Sequence, residues 1–459
     1  MTSFHRAMKK QYRQDGLATT EVYINRWSIL QVDNKEKMGF WSVVAIGIGG
    51  MVGGGIFAVL GLAAQLAHGA MPIAFAIAGI VALLTTYSYA RLSVAFPSQG
   101  GTVTFLDRAF GPGLFAGSLN ILLWLSYIIM LSLYAYAFGS YAATFLKPEW
   151  QAAGKHLFIS LAVVGITTLN LFGAAVIGRA ERWIVAFKIS ILLLFVVVGF
   201  WSIEPRQLEP AAWATPVQIV AGGFIIFLAY EGFELIANAA KDTRQPDKTL
   251  PRAYYSAVLF VIALYVLVAM VTVGNLPLEQ LVDAKDYALA AAAKPLLGMA
   301  GFKLIAIAAL LSTASAINAT LYGAARLSYI IAREGELPDV LEERIWRKPV
   351  LGLLITAGLT LIAANLLDLS SIATIGSAGF LLIFTAVNIA NVVLSRETGS
   401  RRWLSWTGAL ACLTALIALL WQIEMQTPLK ILVLAGILGI SAGIESLYRF
   451  LRPRREERE

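Results

Sequence analysis

Three consecutive glycines, Gly53, Gly54 and Gly55, sit inside the apolar stretch IGIGGMVGGGIFAVLG, which also holds Gly47, Gly49, Gly50 and Gly61. Each glycine within a helix costs roughly 0.5–1 kcal/mol relative to alanine, so this run predicts that the backbone leaves helical geometry there. A second apolar stretch, AGGFIIFLAYEGFELIANAA, sets Gly232 between two carboxylates, Glu231 and Glu234. Charges in such surroundings are costly and usually functional. Open N–H groups from Gly53 to Ile56 would begin a new half-helix, whose partly positive end suits an anion such as a carboxylate. Carbonyls left unpaired at the breaks, near Met51, Leu228 and Glu231, suit a cation such as an ammonium. One small site that takes both charges describes an α-amino acid.

Other residues extend this site. Glu234 follows the second break and is a candidate for proton-linked work, whereas Glu231 is expected to contribute chiefly its carbonyl. Tyr230 and Phe233 flank the break and are candidate pocket walls, and Trp124, Tyr127, Tyr134 and Phe227 are weaker ones. Lys188 lies in AFKISILLLFVVVGF, about 9 Å beyond Arg182 along a helix. It either snorkels to the membrane surface or points inward as a titratable cation. Ser312, Thr313 and Ser315 offer hydroxyls that can reach Lys188 or bond back to their own helix.

The elements that position these residues must be membrane helices. Of the 459 residues, 58% are hydrophobic and only 14% are charged, too apolar for a water-exposed surface. Apolar runs predict twelve spans, near 40–64, 69–94, 114–146, 157–175, 181–203, 214–238, 251–276, 299–332, 349–366, 370–394, 403–423 and 428–450. The expected organisation is an N-terminal tail over 1–39, a first set of five helices over 40–203 and a second over 214–394. Two further helices occupy 403–450, and a C-terminal tail occupies 451–459. Interrupted spans at matching positions, five spans apart, point to two inverted repeats with the site at their interface. The stretch Leu276 to Leu297 reads as a short surface helix, either a lid or a connector.

Lys and Arg concentrate in the tails and alternate connections, which places both termini in the cytoplasm of a protein in the cell membrane. The net charge of +8 therefore sets orientation and gives no reason to expect nucleic acid as a partner. The lone Cys412, three histidines outside the spans and the lack of a GxxxxGK[ST] run exclude thiolate metal sites, imidazole catalysis and nucleotide-driven transport. No enzyme, metal or cofactor is expected. A channel would need a polar pore lining and a membrane sensor would need a sensing domain, and neither is visible.

Four blocks carry a resemblance to a known family: GGMVGGGIF, FPSQGGTVTFLDRAFGPG from Phe96, FLAYEGFELIANAAKDTRQPDKTLPRA from Phe227 and LSTASAINATLYGAARLSYIIAREGELP from Leu311. In order and spacing they resemble the amino acid, polyamine and organocation superfamily. That resemblance implies an all-α LeuT-like fold of 5+5 inverted repeats with helices 1 and 6 broken. It also implies that the Gly53–Gly55 loop receives the substrate carboxylate, and that the carbonyls of Met51, Leu228 and Glu231 receive the amine. In sodium-dependent proteins similar to these, a sodium ion occupies the place where Lys188 falls, so the resemblance implies proton coupling instead. The function expected is secondary active amino acid transport by alternating access, with amino acid exchange as the alternative. Gly54→Val is expected to weaken solute binding strongly while leaving folding largely intact, measurable by ligand-induced thermal shift.

Overall fold

Backbone N–H and C=O groups in hydrocarbon must be bonded within the chain, and a long apolar sequence satisfies this most simply as helix. The computed structural model describes residues 37–333, 337, 350–426 and 429–451. Nearly all of both expected tails, and the end of the block that runs to Pro338, fall outside the described residues.

The helices are α1 (Phe40–Met51), α2 (Gly55–Ala67), α3 (Met71–Ala95), α4 (Thr102–Phe110), α5 (Leu114–Ala143), α6 (Pro148–Phe200), α7 (Pro216–Ile225) and α8 (Leu235–Asn238). They continue as α9 (Pro246–Asn275), α10 (Leu278–Asp283), α11 (Ala288–Arg333), α12 (Val350–Leu366), α13 (Leu369–Val393), α14 (Ser395–Thr398), α15 (Arg402–Gln426) and α16 (Leu429–Leu451). No strand forms among the described residues. Starts follow local chemistry: Thr215 and Gln218 form a reciprocal capping box ahead of Pro216, and Asp368 accepts the Ser371 N–H at 2.6 Å.

Ten stretches are long and apolar enough to cross a membrane, and α1 with α2, bent by 45°, makes an eleventh. The protein is thus an all-helical polytopic membrane protein. Large apolar side chains such as Leu161, Val197, Ile362 and Ile417 face outward, as lipid contact requires. The interior is built by α9 on α3 and α1, and by α11 and α13 on α5.

One expected span boundary changes and two are met. The fourth and fifth spans share one continuous helical backbone, α6, which contains separate apolar windows over Pro148–Leu171 and Trp183–Phe200. The ninth, α12, covers Val350–Leu366 among the described residues, in line with the expected 349–366. The eighth agrees with its expected start: the helical run that begins at Ala288 breaks at Gly298, φ 63°, and the segment beyond the break continues to Arg333.

The 276–297 stretch is a helical surface segment with one face packed inward: Glu279, Gln280, Asp283 and Lys294 are exposed. Leu281, Ala288, Leu289 and Ala292 are buried. The Lys285 backbone lies so close to Gly61 of α2 that no side chain fits between them. Small side chains allow this approach, and Asp286 fastens it. The Tyr136 hydroxyl on α5 donates to Asp286 at 3.3 Å, Lys155 on α6 pairs with the same carboxylate at 3.5 Å, and the Lys155 ammonium stands 4.5 Å over the Tyr136 ring. This partly exposed pair is worth on the order of 1 kcal/mol. Asp286→Asn is therefore expected to speed amide exchange across 278–297 selectively, read by hydrogen–deuterium exchange; unchanged protection would show that the packing on α2 holds the segment alone.

Candidate functional site

At the first break α1 ends at Met51 and α2 begins at Gly55. The Gly53 N–H folds back to the Gly50 carbonyl at 3.1 Å, and the Gly54 carbonyl accepts from Ala58 at 3.0 Å. The Ser312 hydroxyl on α11 donates to the Val52 carbonyl at 3.1 Å and also reaches that of Gly53. No acceptor among the described residues serves the N–H groups of Gly54, Gly55 or Ile56. Those three groups crown the start of α2, the positive end of its dipole.

At the second break α7 tightens into a 3-10 turn over Ile226–Tyr230. Glu231 is extended, Gly232 takes φ 120°, and helix resumes at Leu235. Ser377 on α13 stabilises the tight turn, donating to the Ile225 carbonyl at 2.7 Å and accepting the Leu228 N–H at 3.1 Å. Glu234 caps the resumption: one carboxylate oxygen accepts the Gly232 N–H at 2.7 Å, the other the Tyr127 hydroxyl at 3.1 Å.

The two breaks touch backbone to backbone. A Cβ on Gly232 would overlap Gly50 and Met51, and a Cβ on Gly55 would stand 2.9 Å from the Ala229 Cα. Tyr265 on α9 bridges them, donating to the Met51 carbonyl at 2.6 Å and reaching the Ala229 carbonyl at 3.2 Å. Glycine at 232 is thus required twice, by its positive φ and by this approach.

Lys188 does not snorkel. Its side chain is 1% exposed, and the ammonium donates to the Gly49 carbonyl at 3.0 Å, one turn before the first break. Ser312 serves the break itself, and Thr313 bonds back to Ala309 at 2.7 Å. Ser315 is buried on the same helix. The Tyr230 hydroxyl donates to the Phe75 carbonyl of α3 at 2.9 Å, and Phe233 stacks among Tyr89 and Phe384. Tyr134 of α5 stands against Gly54. A Cβ at Gly54 would collide with its ring and stand 3.1 Å from Thr313, so Gly54→Val displaces α5 and does not leave packing intact.

A cavity of about 250 Å³ leads toward this centre, lined by Ile46, Leu123, Tyr127, Asn238 and Thr320. It shares Gln99 and Arg326 with an outer vestibule of about 500 Å³ that also presents Asp107, Lys241 and Arg333. Tyr127, the donor to Glu234, is thus both a cavity wall and a contact of the second break. Tyr136, which holds Asp286, lies 13 residues further along α5 than Leu123, about 20 Å away. The centre is approached from the vestibule end, and the 276–297 segment covers the other.

Sequence reasoning missed Tyr265 and Ser377, whose types are ordinary in membrane helices. Tyr265→Phe removes the only described donor shared by both breaks and leaves two buried carbonyls without it, a loss of about 1–3 kcal/mol. The expected result is a lower unfolding midpoint in detergent than wild type; an equal midpoint would mean that the bridge contributes nothing.

Comparison with known proteins agrees with this architecture. Residues 38–440 match the model of a family described as amino acid permease. An uncharacterized protein of Methanocaldococcus jannaschii is 37% identical, aligned over 92% of this chain and 97% of its own. The inner membrane transport protein YbaT of Escherichia coli is 35% identical, over 89% and 95%. The methylthioribose transporter of Bacillus subtilis is 28% identical, over 80% and 84%. The family and its named members are transporters, not enzymes. A polytopic helical chain matched over this length belongs to the amino acid permease family, within the amino acid, polyamine and organocation superfamily.

Proposed function

We propose that the protein is a secondary active amino acid transporter, coupled to protons and independent of sodium, that works by alternating access. The observation that carries this is the open N–H trio of Gly54, Gly55 and Ile56 at the meeting point of two interrupted helices. The trio takes the solute carboxylate. Carbonyls of the same breaks take the amine, with Leu228 and Glu231 preferred over Met51, whose carbonyl already accepts from Tyr265. Counting α1 with α2 as one crossing and α12 as another gives twelve spans, read as inverted repeats over 40–203 and 214–394 followed by two helices. With both termini in the cytoplasm, the vestibule opens inward and the 276–297 segment covers the outward side, so the conformation is inward-facing.

Coupling is assigned to Lys188, with Ser312, Thr313 and Ser315 of α11 and Glu234 at the second break as further candidates. A buried ammonium on the Gly49 carbonyl joins α6 to the first broken helix. A metal cation placed beside it would be repelled, which favours protons over sodium. Losing or gaining a proton changes the Lys188–Gly49 bond, and so the hold of α6 on α1.

The test is uptake into proteoliposomes under an imposed pH gradient, with and without a sodium gradient. A pH gradient alone should drive accumulation, and Lys188→Ala should reduce it at least about tenfold while downhill exchange persists. Accumulation driven by sodium alone, or undiminished in Lys188→Ala, would overturn the coupling assignment; exchange without any pH-driven accumulation in wild type would identify an exchanger.

A further inference from the structure

Arg326 of α11 stands at the neck between the cavity and the vestibule, where the transport site has no role for it so far. It lines both spaces, and among the described residues it is the only charged side chain on the cavity wall. Its guanidinium donates to the side-chain carbonyl of Gln99, a neutral partner at the same neck, and no ion pair among the described residues includes it. The described vestibule wall adds two further cations, Lys241 and Arg333, and one carboxylate, Asp107, which accepts from Asn120 at 2.9 Å. On the same helix Ala316 stands against Gly53 at the first break. Arg326 lies ten residues further, about 15 Å along α11 and beyond the reach of its side chain to the centre. Its charge is therefore met by a solute on the path and not by one held at the breaks.

A guanidinium keeps its proton and presents a planar fork that fits a carboxylate through two parallel N–H bonds. On the cavity side the neck is walled by apolar groups such as Ile46, Leu123 and Leu327, which screen the charge weakly. We infer that Arg326 is a second carboxylate site, which takes the carboxylate of the solute as it passes between the centre and the vestibule. An amino acid with a neutral or acidic side chain gains from this charge on the way. One with a cationic side chain brings a net positive charge past it and is disfavoured. This inference rests on the transport function proposed above and narrows its substrate class.

The single cysteine makes a direct test available. Cys412 is buried against Thr85, so an introduced thiol reports alone. Gly323 lines the cavity three residues before Arg326, and a side chain there meets open space. Purified full-length Gly323→Cys is treated with a methanethiosulfonate bearing a sulfonate, which stands in for a carboxylate, and with one bearing a quaternary ammonium. Each rate is divided by that of the same reagent with a small free thiol. The anionic reagent should be favoured at least about tenfold. Adding Arg326→Gln should cut that preference about fivefold or more, whereas Arg326→Lys, which keeps the charge, should retain it. Glutamate should slow the anionic reagent, lysine at equal ionic strength should not, and Arg326→Gln should abolish that protection. Ala319→Cys, on the same cavity wall, repeats the measurement should Gly323→Cys not fold. Equal rates with Arg326 in place, or a preference unaltered by Arg326→Gln, would overturn the inference and leave amino acid transport standing. Protection by glutamate that persists in Arg326→Gln would put the carboxylate elsewhere and overturn it too. The reagent ratio is read without solute, so a lack of uptake for every amino acid beside an intact ratio would remove the transport reading, and with it the role of Arg326 as a solute site.

Discussion

A peptide group in hydrocarbon that lacks a hydrogen-bond partner costs several kcal/mol, and the structure is organised around two places where helices leave such groups open. Everything near them supplies the missing partners. Ser312 serves the carbonyls of Val52 and Gly53, Ser377 the turn at Ile225, Tyr265 the carbonyls of Met51 and Ala229, and Lys188 that of Gly49. Glu234 completes the second break through the Gly232 N–H. Donors to carbonyls come from α6, α9, α11 and α13, so four neighbouring elements are tied to the broken spans. Among the described residues, the N–H groups of Gly54, Gly55 and Ile56 have no such partner.

The contact between the breaks gives this arrangement a mechanical consequence. Gly50 and Gly232, and Gly55 and Ala229, meet with no room for a side chain. Either broken span can shift only if the other yields or the pair separates. Alternating access needs such a linkage between the solute site and the surrounding helices. The 250 Å³ cavity reaches Tyr127, and through it Glu234, so the state of the second break is felt at the cavity wall.

Much of this was legible in the sequence because the relevant residues violate the rule of their surroundings. A Gly triplet, two carboxylates and a lysine within apolar runs each demand an explanation, and the structure brings all of them to one region. The partners were not legible. Tyr265 and Ser377 look like any tyrosine or serine in a membrane helix, and only the three-dimensional crossing of α9 and α13 with the breaks reveals them. Likewise the packing of Tyr230 on α3 and of Phe233 on α13 could not be read from their adjacency to the break. The packed face of the 276–297 segment was not legible for the same kind of reason. Its Ala-rich composition fits a surface helix as well as a tightly packed one, and the glycine that admits it, Gly61, lies more than 200 residues earlier.

The central claim is that the open N–H groups of the first break bind a carboxylate. It is tested most directly by comparing the affinity of the purified protein for a bound amino acid with that for its carboxamide, which keeps the amine and side chain and removes the negative charge. Losing charge-assisted hydrogen bonds to two or three N–H groups predicts a drop of at least about a hundredfold. Equal affinities for the acid and the carboxamide would contradict the account.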